Sequence, residues 1–154
     1  MIRTRLIFII LAVSAAAFGW QALQPVGPAE GIRLSFPLDG TRMSMVPPRG
    51  ARLIEGDPVQ VVLGATTRTP HVMELHRGNP QHTHPDSTRL ANGRLHYTVE
   101  DHEGGSGGAY ATLSGDIQLD DTDITIGVTC TAQSEFTPEP RWCLPYLASL
   151  RPGR

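Results

Sequence analysis

Short alternations of apolar and polar residues dominate the chain after its first 30 positions. In residues 32–36, Ile32, Leu34 and Phe36 alternate with polar side chains. A period of two places the apolar side chains on one face of a β-strand. The same pattern recurs in residues 59–63, 71–76, 95–99, 113–119 and 124–130. Because Gly and Pro punctuate these runs (16 and 13 of 154 residues), we predict a mostly β fold, an antiparallel β-sandwich or small open barrel.

Turn residues between these runs predict how consecutive strands connect. Asn92-Gly93 is typical of a two-residue hairpin turn in which both residues take a positive φ. The acidic stretch 120–123 predicts a second hairpin connection. Residues 86–130 are therefore expected to form a four-stranded antiparallel meander. The main helix candidate is the short segment 144–150, near the C-terminus.

The N-terminus has the layout of an export signal. Arg3 and Arg5 precede the apolar run 6–18, and the small residues 15–17 favour cleavage after Ala17. The alternative is an uncleaved anchor, which would place residues 6–23 in the inner membrane. Both readings keep the two arginines cytoplasmic and place the remainder in an oxidising space.

These patterns give a simple domain organisation. We expect residues 1–23 to be a signal peptide or signal anchor, and residues 24–30 to be a linker. Residues 31–154 are then a single β-rich periplasmic domain, soluble after cleavage or anchored to the inner membrane. A part of this size can bury a hydrophobic core of its own.

Cys130 and Cys143 are the two cysteines of the chain. In an exported protein, two cysteines 13 positions apart most simply form one disulfide bond. Closing a loop of this length stabilises a fold by about 3 kcal/mol in the chain-entropy model. A cysteine nucleophile is the weaker alternative, and two thiols are too few for a cysteine-only metal site.

A histidine-rich segment, residues 78–86, is the strongest candidate for metal chemistry. In an extended segment His82, His84 and Asp86 would project to one side. Imidazole and carboxylate groups suit Zn²⁺ or Cu²⁺, with His96 or His102 completing the ligand set. The alternative is a polar surface loop that happens to hold two histidines.

Three other motifs have simpler structural explanations. Met43 and Met45 resemble the thioether pairs that suit Cu(I), but they also fit one face of a strand. Ser106 lies in a formal G-x-S-x-G motif without the strand-then-helix context of a nucleophile elbow, so residues 104–108 are interpreted as a flexible loop. The carboxylates around residues 116–123 could hold Ca²⁺ or simply form a turn.

The sequence contains no complete set of catalytic groups and no strongly basic patch. We therefore expect no enzyme activity, no cofactor and no nucleic-acid partner. All 13 basic residues are arginines, and the net charge is -2. Without Arg3 and Arg5 the exported part has 11 arginines against 15 acidic residues, a net charge of -4. This acidity favours a basic protein partner.

The first functional hypothesis is an exported periplasmic binding or inhibitor protein. In its concrete form it is an immunity protein that neutralises a toxin, with a basic toxin or enzyme as partner and membrane contact only through the N-terminal segment. Loops 78–86, 104–108 and 131–142 would bind the partner at one end of the sandwich. The expected partner-binding residues are His82, His84, Asp86, His102, Glu103, Ser106 and Glu135. The alternative is a periplasmic Zn²⁺- or Cu²⁺-binding protein using His82, His84 and Asp86.

Overall fold

A computed structural model describes residues 24–64, 70–102, 108–134 and 138–153. Within these ranges the chain is mostly β, with two antiparallel sheets and one short α-helix near the C-terminus. The strands, in chain order, are β1 (Leu34–Leu38), β2 (Thr41–Met45), β3 (Arg52–Ile54), β4 (Val59–Leu63), β5 (His71–Arg77), β6 (Asp86–Leu90), β7 (Gly93–His102), β8 (Ala109–Leu119), β9 (Thr125–Ser134) and β10 (Arg151–Pro152). A 3₁₀ turn (Pro140–Cys143) leads directly into helix α1 (Leu144–Leu147).

The larger sheet has seven strands in the order β3-β4-β5-β9-β8-β7-β6. Its last four strands along the chain are joined by consecutive hairpins, which confirms the predicted meander over residues 86–130. Strand β5 pairs with β9 rather than with β6. The chain between β5 and β6 must therefore pass over three strands.

The core lies between the inner face of this sheet and a three-stranded sheet of order β1-β2-β10. Met43 and Met45 are fully buried there, together with Met73 of β5, so these thioethers pack as apolar core groups rather than as copper ligands. The expected burial of residues 32–36 is only partly right. Phe36 is buried, but Ile32 precedes β1 and is 84% exposed.

The C-terminal segment is tied to both sheets. Cys130 of β9 and Cys143 form the predicted disulfide bond, and both residues are fully buried. The Ser149 hydroxyl accepts a hydrogen bond from the Val46 N–H at 2.8 Å, and the Arg33 guanidinium donates to the Ser149 carbonyl at 2.7 Å. The disulfide and these hydrogen bonds explain why a segment with little secondary structure of its own is well buried.

The hairpin at Asn92-Gly93 exists, but the predicted reason for it is wrong. Neither residue has a positive φ, and strand β7 already begins at Gly93. A Cβ atom at Gly93 would collide with the backbone of Gln118, so glycine is required for close strand packing. The Asn92 side chain donates hydrogen bonds of 2.9 Å to the carbonyls of Leu147 and Leu150, at the end of α1.

The expected signal peptide or anchor, residues 1–23, lies outside the described residues. Across the described ranges no helix is both long and apolar enough to cross a membrane. The disulfide bond is consistent with an oxidising compartment.

Candidate functional site

The connection between β5 and β6, residues 78–85, lies over the outer face of the seven-stranded sheet. It starts close to the sheet because the Gly78 N–H donates to the Thr125 carbonyl at 3.0 Å. A Cβ atom at Gly78 would lie 2.8 Å from the backbone of β9, so the approach needs glycine. We call these eight residues the crossing segment.

Asp116 of β8 binds the crossing segment to the sheet. It lies on the outer face but is only 7% exposed, because the segment covers it. Its Oδ1 atom accepts a hydrogen bond from the Asn79 N–H at 2.9 Å. Its Oδ2 atom lies 3.2 Å from Nδ1 of His82 and 3.1 Å from Nε2 of His84. Two predicted site residues therefore converge on one buried carboxylate.

The pKa of the Asp116 carboxyl is lowered. Burial alone would raise it, but the hydrogen bonds from the Asn79 N–H, His84 and His82 stabilise the charged form more strongly. The site therefore keeps a negative charge under a covering of polar groups.

The two histidines differ in exposure and support. The His84 side chain is 15% exposed, and its Nδ1 atom lies 3.4 Å from the Thr98 hydroxyl on β7. The His82 side chain is 59% exposed, and its backbone N–H donates to the Asn79 carbonyl at 3.0 Å. His84 thus packs against the sheet, whereas His82 borders solvent.

The carboxylate that meets the two histidines is not that of Asp86. Asp86 is the first residue of β6 and pairs with Tyr97, a residue of the inner face. Its side chain therefore points to the side of the sheet opposite Asp116. There it lies near Arg141, whose pKa is raised chiefly by a hydrogen bond with Tyr97 and further by the charges of Glu139 and Asp86.

Asp116 gives little signal in the sequence. It occupies a polar position of a strand, 34 residues from His82, and looks like any exposed residue of an alternating pattern. Only the pairing of β5 with β9, which sends the crossing segment over β8, brings the groups together. The buried carboxylate could not be identified from local spacing.

A second polar feature lies on the same outer face. His102, near the end of β7, stacks on Tyr110 of β8 with ring centroids 4.5 Å apart and planes at 15°. Tyr110 is 38% exposed, and Glu100 lies 3.7 Å from His102. His102 lies six positions along the extended strand from His96, the cross-strand neighbour of Asp116, which is a distance of about 20 Å. His102 is therefore too far away to complete a ligand set with His82 and His84.

The expected loops do not all gather at one end. Strands β7, β8 and β9 come together where His102 pairs with Tyr110 and Ala109 pairs with Ser134. The crossing segment starts from the opposite end of the sheet, after Arg77. Three of the predicted partner-binding residues, Glu103, Ser106 and Glu135, lie outside the described residues.

The acidic hairpin does not gather into a cation site in the described part of the chain. The Asp120 carboxylate is paired with both terminal nitrogens of Arg89, at 3.0 and 2.5 Å, and Asp116 is held by the two histidines. Within the described ranges, one group of three ligand-type residues has its ligand atoms within 4.8 Å of one another, namely His82, His84 and Asp116.

Comparison with known proteins gives a fold likeness and a family. A crystal structure of a protein from Bacteroides thetaiotaomicron VPI-5482, solved at 1.50 Å, matches 82% of this chain with a TM-score of 0.58 and 11% identity. The match covers 50% of that longer chain, so this likeness concerns the fold alone. No curated protein matches the sequence.

The family model of the type six secretion immunity 3 (Tsi3) domain matches residues 44–151. The match runs from β2 to β10, and it includes the crossing segment, Asp116 and the His102–Tyr110 pair. The chain belongs to the type six secretion immunity 3 domain family.

Proposed function

We propose that the protein is exported to the periplasm and neutralises its toxin there by binding, without catalysis, through the outer face of the seven-stranded sheet. The observation that carries the choice of surface is the exposed His102–Tyr110 stack, which shares this face with the crossing segment.

The division of the sheet into two faces supports this surface. The inner face is occupied by the core and the three-stranded sheet. The outer face offers His82 at one position and the His102–Tyr110 pair about 20 Å away. A standard protein interface buries about 800 Å² per partner, which spans both features. Tyrosine is among the residues most often found at binding hot spots.

Charge and compartment support the remaining parts of the proposal. Residues 24–154 carry a net charge of -4, and Glu100 lies beside the His102–Tyr110 pair, so a basic toxin surface is the complementary partner. The export layout of residues 1–23 and the buried disulfide bond both favour the periplasm. The N-terminal segment is then the protein's contact with the inner membrane.

A binding experiment with matched variants tests the surface. The partner is the toxin that the protein protects against, and the measurement is the dissociation constant by calorimetry. Tyr110→Ala removes an exposed ring from the outer face and is expected to weaken binding by about 10-fold or more. Ile32→Ala removes an even more exposed apolar side chain, just before β1 of the three-stranded sheet, and is expected to change affinity by less than about 2-fold. Loss of affinity in the Ile32 variant alone would refute the proposed face.

A protection assay tests the compartment and the absence of catalysis. Cells that export the toxin to the periplasm should survive with the full chain and die when residues 2–23 are deleted. Ser106→Ala, which removes the hydroxyl of the G-x-S-x-G motif, should protect as well as the unaltered protein. Protection by the deleted form would show that the toxin is neutralised in the cytoplasm.

A further inference from the structure

The ligand atoms around Asp116 have the spacing of a metal site. With metal–ligand bonds of about 2.0–2.1 Å, the corners of a tetrahedron around Zn²⁺ are about 3.3 Å apart. Oδ2 of Asp116 lies 3.2 Å from Nδ1 of His82 and 3.1 Å from Nε2 of His84. All three atoms lie within 4.8 Å of one another, so a small rotation of one imidazole closes the triangle.

Neighbouring groups bind the other polar atoms of Asp116 and His84, so an ion would replace the contacts that the three ligand atoms make with one another. The Asn79 N–H occupies Oδ1 of Asp116, which leaves Oδ2 for the site. The Thr98 hydroxyl lies against Nδ1 of His84, which leaves Nε2 as the ligand atom. An oxygen partner on the second ring nitrogen is the usual support of a metal-binding histidine, because it fixes both the tautomer and the ring orientation.

From this geometry we propose that His82, His84 and Asp116 form a three-ligand site for Zn²⁺ that fastens the crossing segment to the sheet. Two imidazoles and one carboxylate are borderline nitrogen and oxygen ligands that suit this ion. The single negative charge of the ligand set offsets part of the charge of a divalent cation, on a carboxylate that is already largely removed from water. The site does not depend on which surface meets the toxin.

The fourth coordination position opens on the side of His82, whose side chain is 59% exposed. His96 is the nearest further histidine in the sheet register, since it pairs directly with Asp116 on the same face. His76 is directed elsewhere, because its Nδ1 atom lies 2.8 Å from the carbonyl of Arg77.

Titration of the purified protein with ZnCl₂ tests the site. The full chain is purified without a histidine tag from a host that exports it, and is treated with a chelator before calorimetry. We expect one Zn²⁺ per chain. Replacing the metal with Co²⁺ should give the visible absorption of a tetrahedral or five-coordinate ion.

Variants identify the ligands. His82→Gln alters the more exposed histidine, and His84→Asn alters the more buried one. Each should weaken Zn²⁺ binding by about 10-fold to 100-fold or more, the range found when even a supporting residue is lost. Thr98→Val should weaken binding by about 10-fold while leaving the stoichiometry at one. His102→Asn is the matched control on the same face and should bind as the unaltered protein does.

Two results would overturn the proposal. The first is a stoichiometry of less than about 0.1 Zn²⁺ per chain at a Zn²⁺ concentration that fills sites made of two histidines and one carboxylate. The other is equal affinity in the unaltered protein and in the variants of His82 and His84, which would place the ion elsewhere. Loss of the Co²⁺ absorption in the two variants would support the same ligands. Binding of Cu²⁺ to the unaltered protein is also expected, because affinity for Cu²⁺ exceeds that for Zn²⁺ at most nitrogen and oxygen sites.

Discussion

The two faces of the seven-stranded sheet are built on different principles. On the inner face, Leu75, Leu113 and Val128 are buried among apolar side chains from the other sheet. Among the described residues of the outer face, the strongly buried charged side chain is Asp116, and it is buried by a segment of the same chain rather than by a core. The inner face supplies stability through apolar burial, whereas the outer face supplies polar chemistry on a rigid support.

This contrast explains how a binding surface can be varied without loss of the fold. A polar outer face contributes little free energy of folding at most positions, so its residues are free to match a partner. The crossing segment is the exception, because the charge of Asp116 ties it to the sheet. Substitutions on the inner face should therefore lower the stability of the fold, whereas most substitutions on the outer face should affect binding.

The largest effect is expected on the inner face. Leu113→Ala removes a fully buried side chain and should lower the free energy of unfolding by about 2–5 kcal/mol. Its neighbour in sequence, Thr112, has its side chain on the outer face, and Thr112→Ala should change that quantity by about 0.5 kcal/mol or less. Urea denaturation measures both. Equal losses would contradict the division of the sheet into two faces.

The disulfide bond should come next. The double variant Cys130→Ala, Cys143→Ala removes a cross-link that closes a loop of 13 positions, and should lower the free energy of unfolding by about 3 kcal/mol. Reduction of the unaltered protein by dithiothreitol is the control, and it should give a similar loss. A loss below about 1 kcal/mol would show that the C-terminal segment is held mainly by its hydrogen bonds.

The buried carboxylate on the outer face should have an intermediate effect. Asp116→Asn keeps the shape but removes the charge that accepts from the two histidines, and should cost about 1–3 kcal/mol in metal-free buffer. His102→Asn, on the same face but about 20 Å away, should cost less than about 0.5 kcal/mol. A larger loss of stability in the His102 variant than in the Asp116 variant would show that the aromatic stack, and not the carboxylate, stabilises this face.

The effect of Asp116 should also depend on pH. Because its pKa is lower in the folded protein than in the unfolded chain, the charged carboxylate stabilises the fold above its unfolded pKa of about 3.9. This contribution is lost as the pH falls through the lower, folded value. Denaturation of the metal-free protein should therefore show the unaltered chain and Asp116→Asn converging below about pH 4. A stability difference that stayed constant from pH 7 to pH 3 would contradict the lowered pKa.

The smallest effect on stability is expected at the turn that supports the helix. Asn92→Ala removes two hydrogen bonds to the carbonyls of Leu147 and Leu150, and should lower the free energy of unfolding by about 1 kcal/mol. Asn92→Asp is the comparison variant, because its carboxylate cannot donate to these carbonyls. If the alanine variant were as stable as the unaltered protein, the hairpin would not serve as a support for α1.

Local patterns in the sequence predict the parts of the fold that local physics decides. Alternation in residues 95–99, 113–119 and 124–130 gives strands whose apolar sides do face the core, and the pairing of Cys130 with Cys143 follows from the presence of two cysteines in a chain predicted to be exported. The turn at Asn92 is found for a reason other than the predicted one, since its amide group binds the end of the helix.

The features that were not predicted depend on contacts between distant parts of the chain. Strand β10 has two residues and exists because it pairs with β2, more than 100 positions earlier. Ile32 continues an alternating pattern but lies before the paired part of β1, so nothing buries it. Asp116 was not expected beside the histidines for the same reason, because the order of the strands, and not their sequence, brings it there.

The central claim is that the toxin binds the outer face, and histidine labelling tests it most directly. Diethyl pyrocarbonate modifies accessible imidazoles, and mass spectrometry locates them in the free protein and in the toxin complex. We predict that His82, His96 and His102 lose reactivity in the complex. His71, which lies edge-on to Trp142 with ring centroids 5.4 Å apart, should keep the reactivity that it has in the free protein. Protection of His71 with unchanged labelling of His82, His96 and His102 would contradict the account.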